Sequence, residues 1–447
     1  MPILTPEMLS EIVPPEKSGR RLRIALSHEF VELYRGDKDL KVGKILARDY
    51  NCEIVHLGTN IASLADSRIF RSKNYPIDRV GPLPVDYYLL LMKTKLVVHR
   101  KGDIGMGGFF RWTPAIIPLL LRWKPDLIFE NPYLTLSPRS FMTFLASRIL
   151  RIPLIYIDCG DIVNKKGWKN RLALPFEKIA VRKSSAVITY NNAGKQRFLD
   201  KYGYPEDKIH VIPKPVDTSR FSPDIDSRQF RLKYNLDGKF VVAYFGRLCA
   251  NKGARTFLKA ADIMRIRGAD KDTVFLFVGG NLEAEHSAEF SRHLKTLSLD
   301  SVKITGWHPY DDMPQAYSGV DIAVFPDVTN PPGFSTVLSE SMAAGLPIII
   351  GIKGWESAVP IIDGQNGLIV ESGNPEQIAD KIELLRNNKQ LVQKLSASVR
   401  DFAKREMDYD NVVDKYYELF LKITGKYITE VTNEDYAKSG RTKTTVR

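Results

Sequence analysis

The chain has 447 residues, 44% of them hydrophobic, and carries a formal net charge of +13. That length suits two or three domains, and the apolar content excludes a disordered chain. Three cysteines (Cys52, Cys159, Cys249) stand far apart with no CxxC pair, which argues against a disulfide framework or a zinc site. The positive charge points to anionic partners. It is spread along the chain without a nucleic-acid motif, so no nucleic-acid partner is expected.

The first residues, MPILTPEMLSEIVPPEKSGRR, have no apolar stretch of the secretory kind. The runs 87–92 and 115–121 are apolar but far short of the roughly 20 residues that span a bilayer. The expectation is a cytoplasmic protein, peripheral at the inner face of the cell membrane.

Short apolar runs then alternate with helical stretches, the pattern of α/β units around parallel sheets. Strands are expected at 22–26, 53–57, 127–129, 154–157, 186–189 and 209–212, and helices at 138–150 and 172–182. The polar stretch 213–238 reads as an interdomain connection. The pattern restarts with strands at 240–245, 273–278, 302–305, 322–325 and 347–351. Helices are expected at 254–264, 335–344, 378–387 and 411–423, and the basic tail 438–447 reads as disordered. Two doubly wound, Rossmann-like domains in series would bind ligands at the carboxyl ends of their strands.

Two segments carry chemistry. Gly246-Arg247-Leu248 leaves a strand, and Lys252-Gly253 opens a helix. A guanidinium fork and a mobile ammonium at one strand end suit a diphosphate. The other reading is two solvated basic residues. The second segment is PPGFSTVLSESMAAG, 331–345. Its turn leads into a helix whose first amides, from Gly333 through Phe334 and Ser335 to Thr336, form an anion site. Phe334, Val337, Leu338 and Met342 read as core face. Glu340 is not explained by that face, and its carboxylate can accept hydrogen bonds from a ribose diol.

GRLCANKG, VGG, TGW, PPGFSTVLSESMAAGLPII and DGQNGLIVESGNPEQIADKI, in that order, resemble the C-terminal domain of glycosyltransferase family 4. VIPKPVDTSRFSP is similar to the interdomain signature of that family. The likeness is dense over 185–405 and rests on layout alone before that. It implies the GT-B fold, two Rossmann-like domains facing a cleft. It divides the chain into an acceptor domain (1–215), a nucleotide-sugar domain (216–405), a helix returning to the first domain (406–424) and a disordered tail (425–447).

The resemblance makes Arg247 and Lys252 the diphosphate ligands and Glu340 the ribose ligand. It places Gly280, Asn281, Gly306 and Trp307 near the base, where Trp307 either stacks or is a half-buried structural residue. It implies retaining transfer of a hexosyl group from a nucleotide-diphosphate sugar to a glycan or lipid-linked acceptor. No Asp-x-Asp motif stands beside the diphosphate residues, so no metal and no cofactor beyond the co-substrate is expected. Two departures stand out. Pro332 occupies the place of a sugar-contacting Glu eight positions before Glu340, with Asp327 and Asn330 as possible substitutes. Lys214-Pro215 replaces the Asn-Gly of the linker signature.

On the acceptor side the family often has a His after the strand ending near Ile157. Here Asp158-Cys159-Gly160-Asp161 follows. Asp161 or Asp158 is the catalytic candidate, orienting an acceptor hydroxyl or stabilising a cationic transition state. The alternative is a turn and helix cap. His28 and Glu29 are further candidates. Two basic, aromatic segments, 87–124 and 165–183, suggest an anionic membrane surface as partner. In the second, the stripe Trp168, Leu172, Phe176 and Ile179 reads as core. A nucleotide-sugar-binding protein without transfer, and a GT-B nucleotide-sugar epimerase, are the rival readings.

Overall fold

The computed structural model describes residues 21–28, 38–59, 86–92, 95–98, 110–113, 115–131, 138–158, 168–248, 252–280, 294, 301–328, 335–353 and 359–426. The chain forms two compact units. The first comprises residues 1–189, 197–210 and 413–447, and the second 190–196 and 211–412.

The first unit runs β1 (Arg23–His28), α1 (Lys38–Asp49), β2 (Glu53–Thr59), β3 (Tyr87–Met92), β4 (Lys95–Val98), β5 (Phe110–Trp112), α2 (Ile116–Trp123), β6 (Leu127–Asn131), α3 (Pro138–Leu150), β7 (Leu154–Asp158), α4 (Trp168–Arg182), β8 (Ala186–Thr189), α5 (Asn192–Tyr202) and β9 (Ile209–Val211). Its sheet has the order β3-β2-β1-β6-β7-β8-β9. The described pairings of β1, β2, β3, β6, β7 and β8 are all parallel. Strands β6, β7 and β8 are buried at every residue, as a sheet covered on both faces requires. That is why they read as apolar runs and not as alternating ones. The order reverses between β1 and β6, which makes their carboxyl ends a topological switch point.

The second unit continues α6 (Arg228–Lys233), β10 (Phe240–Phe245), α7 (Ala254–Ile266), β11 (Thr273–Val278), β12 (Val302–Gly306), α8 (Met313–Ser318), β13 (Ile322–Val328), α9 (Thr336–Ala343), β14 (Ile348–Ile352), β15 (Leu368–Glu371), α10 (Pro375–Asn387), α11 (Lys389–Phe402) and α12 (Tyr409–Thr424). The sheet order is β12-β11-β10-β13-β14-β15, every pairing parallel. Here the switch point lies between β10 and β13. Helix α7 buries Phe257, Leu258, Ala261 and Met264 completely against this sheet.

Two expectations need correction. The stretch 213–238 is not a free connection. The Val216 amide donates to the Met407 carbonyl at 2.8 Å. The Arg400 guanidinium donates to the carbonyls of Thr218 and Phe221, each at 2.8 Å. Phe221 and Phe230 are buried in the second unit. The polar composition hid two aromatic anchors. The second correction concerns α4, where Phe176 and Ile179 are 63% and 53% exposed. The buried face carries Ala180 and Val181 instead. The helix has two apolar stripes, and periodicity alone does not choose between them.

Residues 409–412 of α12 count with the second unit and the rest of that helix with the first. There Tyr416 and Phe420 meet Phe129 of β6, with ring centroids 5.5 and 5.2 Å away. Lys426 pairs with Asp126 at 2.7 Å. The tail beyond 426 lies outside the described residues.

Candidate functional site

In the second unit glycine ends β12 and directly follows the adjacent strands β10 and β11. A side chain on Gly279 would place its Cβ 2.0 Å from the Gly246 carbonyl oxygen, and Gly279 holds φ 140°. Only glycine permits this approach. The Gly246 amide donates to Val278 and the Gly279 amide to Gly306. The ends of β10, β11 and β12 are thereby pinned together. Gly280 sits against Trp307, a Cβ there falling 3.2 Å from the Trp307 amide. Trp307 is 46% exposed, so its ring offers a stacking face. Gly280, Gly306 and Trp307 thus share one place at the carboxyl edge. Asn281 lies outside the described residues.

Arg247 follows Gly246 and is exposed. Its carbonyl is held by the hydroxyl of buried Tyr244 at 2.6 Å, so the loop is fixed and the guanidinium projects from it. Lys252 is also exposed. Gly253 after it caps α7 in the left-handed conformation, which suits a glycine and not a side-chained residue.

Across the switch point, Ser335 stands at the N-cap of α9 without a side-chain cap bond. It is exposed, and Thr336 is half-buried. The first amides of a helix have no intrahelical acceptor and carry partial positive charge. Gly333, Phe334, Pro332 and Asn330 lie outside the described residues, and Asp327 is described only as part of β13. Leu338 and Met342 are buried, as expected of a core face.

Glu340 is also buried, 5% exposed. Its carboxylate accepts a hydrogen bond from the Tyr317 hydroxyl at 2.7 Å. Burial, then the Glu340 charge, pushes the Tyr317 hydroxyl far above the ordinary tyrosine range. The tyrosine therefore stays a donor and fixes the carboxylate.

Sequence reasoning noticed Lys214 only as a departure from the linker signature. In the structure its ammonium donates to the Thr336 hydroxyl at the start of α9. The signal was the replacement of Asn-Gly by Lys-Pro. A cation reaching a helix N-terminus is electrostatically unfavourable by itself.

In the first unit Asp158 closes β7. It is 4% exposed and ion-paired with Arg197. Burial lowers the Arg197 guanidinium to about 10. Asp161, Cys159 and Glu29 lie outside the described residues. At the switch point His28 and Asn131 stand opposite each other in register. The Asn131 amide donates to Asp39 at 3.0 Å, and His28 Nδ1 lies 3.2 Å from the same carboxylate oxygen. These residues line a small cavity with His56. Asp39 and Asn131 were not legible in the sequence, because strand order brings them together.

The chain carries the fold of a GT-B glycosyltransferase. Residues 239–388 match the family model for glycosyl transferases group 1, and residues 96–220 match that for Glycosyltransferase Family 4. The chain belongs to the family 4 glycosyltransferases. It is 27% identical over 337 residues to the capsular polysaccharide biosynthesis glycosyltransferase CapM of Staphylococcus aureus, covering 73% of this chain and 85% of that protein. It is 25% identical to the GDP-mannose-dependent alpha-(1-6)-phosphatidylinositol monomannoside mannosyltransferase of Mycobacterium tuberculosis, over 64% of this chain and 72% of that one. HepE of Anabaena, solved in complex with UDP, superposes with TM-score 0.68 at 18% identity, over 90% of this chain and 100% of that one.

Proposed function

We propose that this chain transfers a hexosyl group from a nucleoside-diphosphate sugar to a glycan or lipid-linked acceptor, with retention at the anomeric carbon and without a metal ion. The observation that carries the reading is the pairing of basic strand-end residues with an uncapped helix N-terminus, one on each side of the second unit's switch point. Arg247, Lys252 and Lys214, with the amides of Gly333, Phe334, Ser335 and Thr336, hold the donor diphosphate. Glu340, oriented by Tyr317, accepts from the ribose hydroxyls. Gly280, Asn281, Gly306 and Trp307 receive the base. As the sugar–phosphate bond breaks, negative charge grows on the diphosphate. Preorganised cations and amide dipoles stabilise it in place of a divalent ion.

On the acceptor side Asp161 meets the acceptor hydroxyl or the cationic sugar, and Asp158, clamped by Arg197, positions its loop. The acceptor is met at an anionic, cytoplasmic membrane face. The relatives support this reading, since the mycobacterial one acts on a phosphatidylinositol mannoside. The test is a panel of UDP-, GDP- and ADP-sugars. One nucleotide should raise the melting temperature, and the product made from an α-linked donor should carry an α linkage by NMR. An inverted product, or no nucleotide raising the melting temperature, counts against the proposal.

A further inference from the structure

In the first unit α3 and α4 connect β6 to β7 and β7 to β8, stepping the same way across the sheet. Right-handed crossovers put both helices on one side of it. Their inner faces, through Met142, Ala146 and Val181, join the same core as Tyr156 and Val187. Their outer faces are not polar. On α3, Phe141, Leu145 and Ile149 are 48%, 38% and 54% exposed. Spaced four apart, they make a continuous stripe along one helix face. On α4, Phe176 and Ile179 add two more exposed apolar side chains. A surface helix of a water-soluble domain ordinarily presents charge there.

The charged residues described as exposed on α3 and α4, and directly after each, are basic. Arg148, Arg151, Arg182 and Lys183 are exposed, and residues 138–151 contain no Asp or Glu. The one carboxylate of α4, Glu177, accepts from Lys201 at 3.0 Å and from the Tyr202 hydroxyl at 2.5 Å. A second copy of this chain would bring arginine against arginine across such a face. A bilayer with anionic headgroups satisfies both features, taking the apolar stripe into the headgroup–acyl boundary and the basic rim onto phosphate.

We infer that the outer faces of α3 and α4 are a docking surface for an anionic bilayer, entered by Phe141, Leu145, Ile149, Phe176 and Ile179 and rimmed by Arg148, Arg151, Arg182 and Lys183. The inference deepens the membrane part of the proposed function and rests on it only for its purpose. The surface itself is defined without the donor site. It assigns the membrane contact to α3 and α4, whose exposed apolar residues are neither core nor site.

The test is flotation of the full chain with vesicles of phosphatidylcholine alone and of phosphatidylcholine with phosphatidylglycerol. Binding should require the anionic lipid and be reversed by salt. The triple variant Phe141→Ser, Ile149→Ser, Phe176→Ser should lose at least about tenfold in partitioning to anionic vesicles, because each side chain leaves apolar area in water. Arg148→Ser and Lys183→Ser should each lower it about fivefold. Melting temperature should be unchanged in all of them, since these side chains stand outside the core.

Equal recovery with neutral and anionic vesicles overturns the inference, as does wild-type partitioning of the triple variant. So does concentration-dependent dimerisation that the triple variant abolishes, with no vesicle binding by the wild type. The melting-temperature rise with UDP, GDP or ADP is read in parallel. If it persists while flotation fails, only the docking surface falls. If flotation succeeds and no nucleotide acts, the donor reading falls instead.

Discussion

The ammonium of Lys214 reaches the hydroxyl of Thr336, the first residue of helix α9. A lysine from the stretch that follows β9 thus stands at a helix end that already favours negative charge. The placement makes electrostatic sense when an anion lies there. Lys214→Ala should therefore weaken binding of the nucleoside diphosphate by about tenfold or more, the range of a charge-assisted contact. Binding of the bare nucleoside should not change. Calorimetric titration of both ligands checks this, and equal losses for the two would place Lys214 elsewhere.

Arg247 follows β10 and Lys252 precedes α7, and both are exposed. Neither supports the core. Arg247→Ala or Lys252→Ala should cost roughly ten- to a hundredfold in donor affinity with an unshifted melting temperature. Arg247→Lys should recover only part, because a bidentate fork is replaced by a point charge. Donor affinity left intact in both alanine variants would remove the diphosphate from this strand end.

Much of this fold was legible because buried parallel strands are short and apolar, as Ile348–Ile352 and Thr273–Val278 are. The strand-end candidates were legible because glycine and charge alternate there, as in Gly246-Arg247. What escaped depends on strand order. His28 and Asn131 are a hundred residues apart in sequence, yet they face each other because β1 and β6 are neighbours. Lys214 escaped because its stretch reads as polar connection while Phe221 and Phe230 anchor it. The face of α4 escaped because Phe176 and Val181 both lie on apolar stripes, and only the sheet decides which is covered.

The proposed leaving-group chemistry uses three cations and a helix end. Transfer should therefore continue at full rate after exhaustive chelation with EDTA. The rate of donor consumption, with and without added magnesium, checks this. Loss of transfer restored by magnesium or manganese would assign the charge stabilisation to a metal.

His56, on β2, is wholly buried and lines the small cavity that His28 and Asn131 share. Burial lowers its imidazole to about 4, Asp39 opposing and Arg139 reinforcing the shift. The folded chain therefore binds its proton less readily than the unfolded chain, whose histidine titrates near 6.5. Stability from this group is complete above about 6.5 and is lost as pH falls toward about 4. The loss should reach up to about 3 kcal/mol, read as a falling urea midpoint. In a folded His56→Gln variant that slope between the two pH values should flatten. An equally steep slope in the variant would assign the acid sensitivity to other groups.

Tyr317 and Glu340 give the sharpest division between nucleotide and sugar. Glu340 is buried and takes the Tyr317 hydroxyl at 2.7 Å, so its carboxylate has one orientation before any donor arrives. If that carboxylate accepts the ribose hydroxyls, Glu340→Gln keeps the shape and loses a charged acceptor. Tyr317→Phe keeps the charge and loses the bond that orients it. Both should weaken every donor alike, since ribose is common to all, by about tenfold for a charged acceptor. Neither should change the turnover ratio between two sugars carried on the same nucleotide. Pro332 stands where a sugar-contacting carboxylate is expected, so Pro332→Glu should move that ratio and leave nucleotide affinity nearly constant. A melting-temperature measurement excludes a disordered turn, the one trivial cause of loss at a proline. If Glu340→Gln shifts the sugar ratio while a folded Pro332→Glu does not, the two positions have exchanged the roles assigned to them.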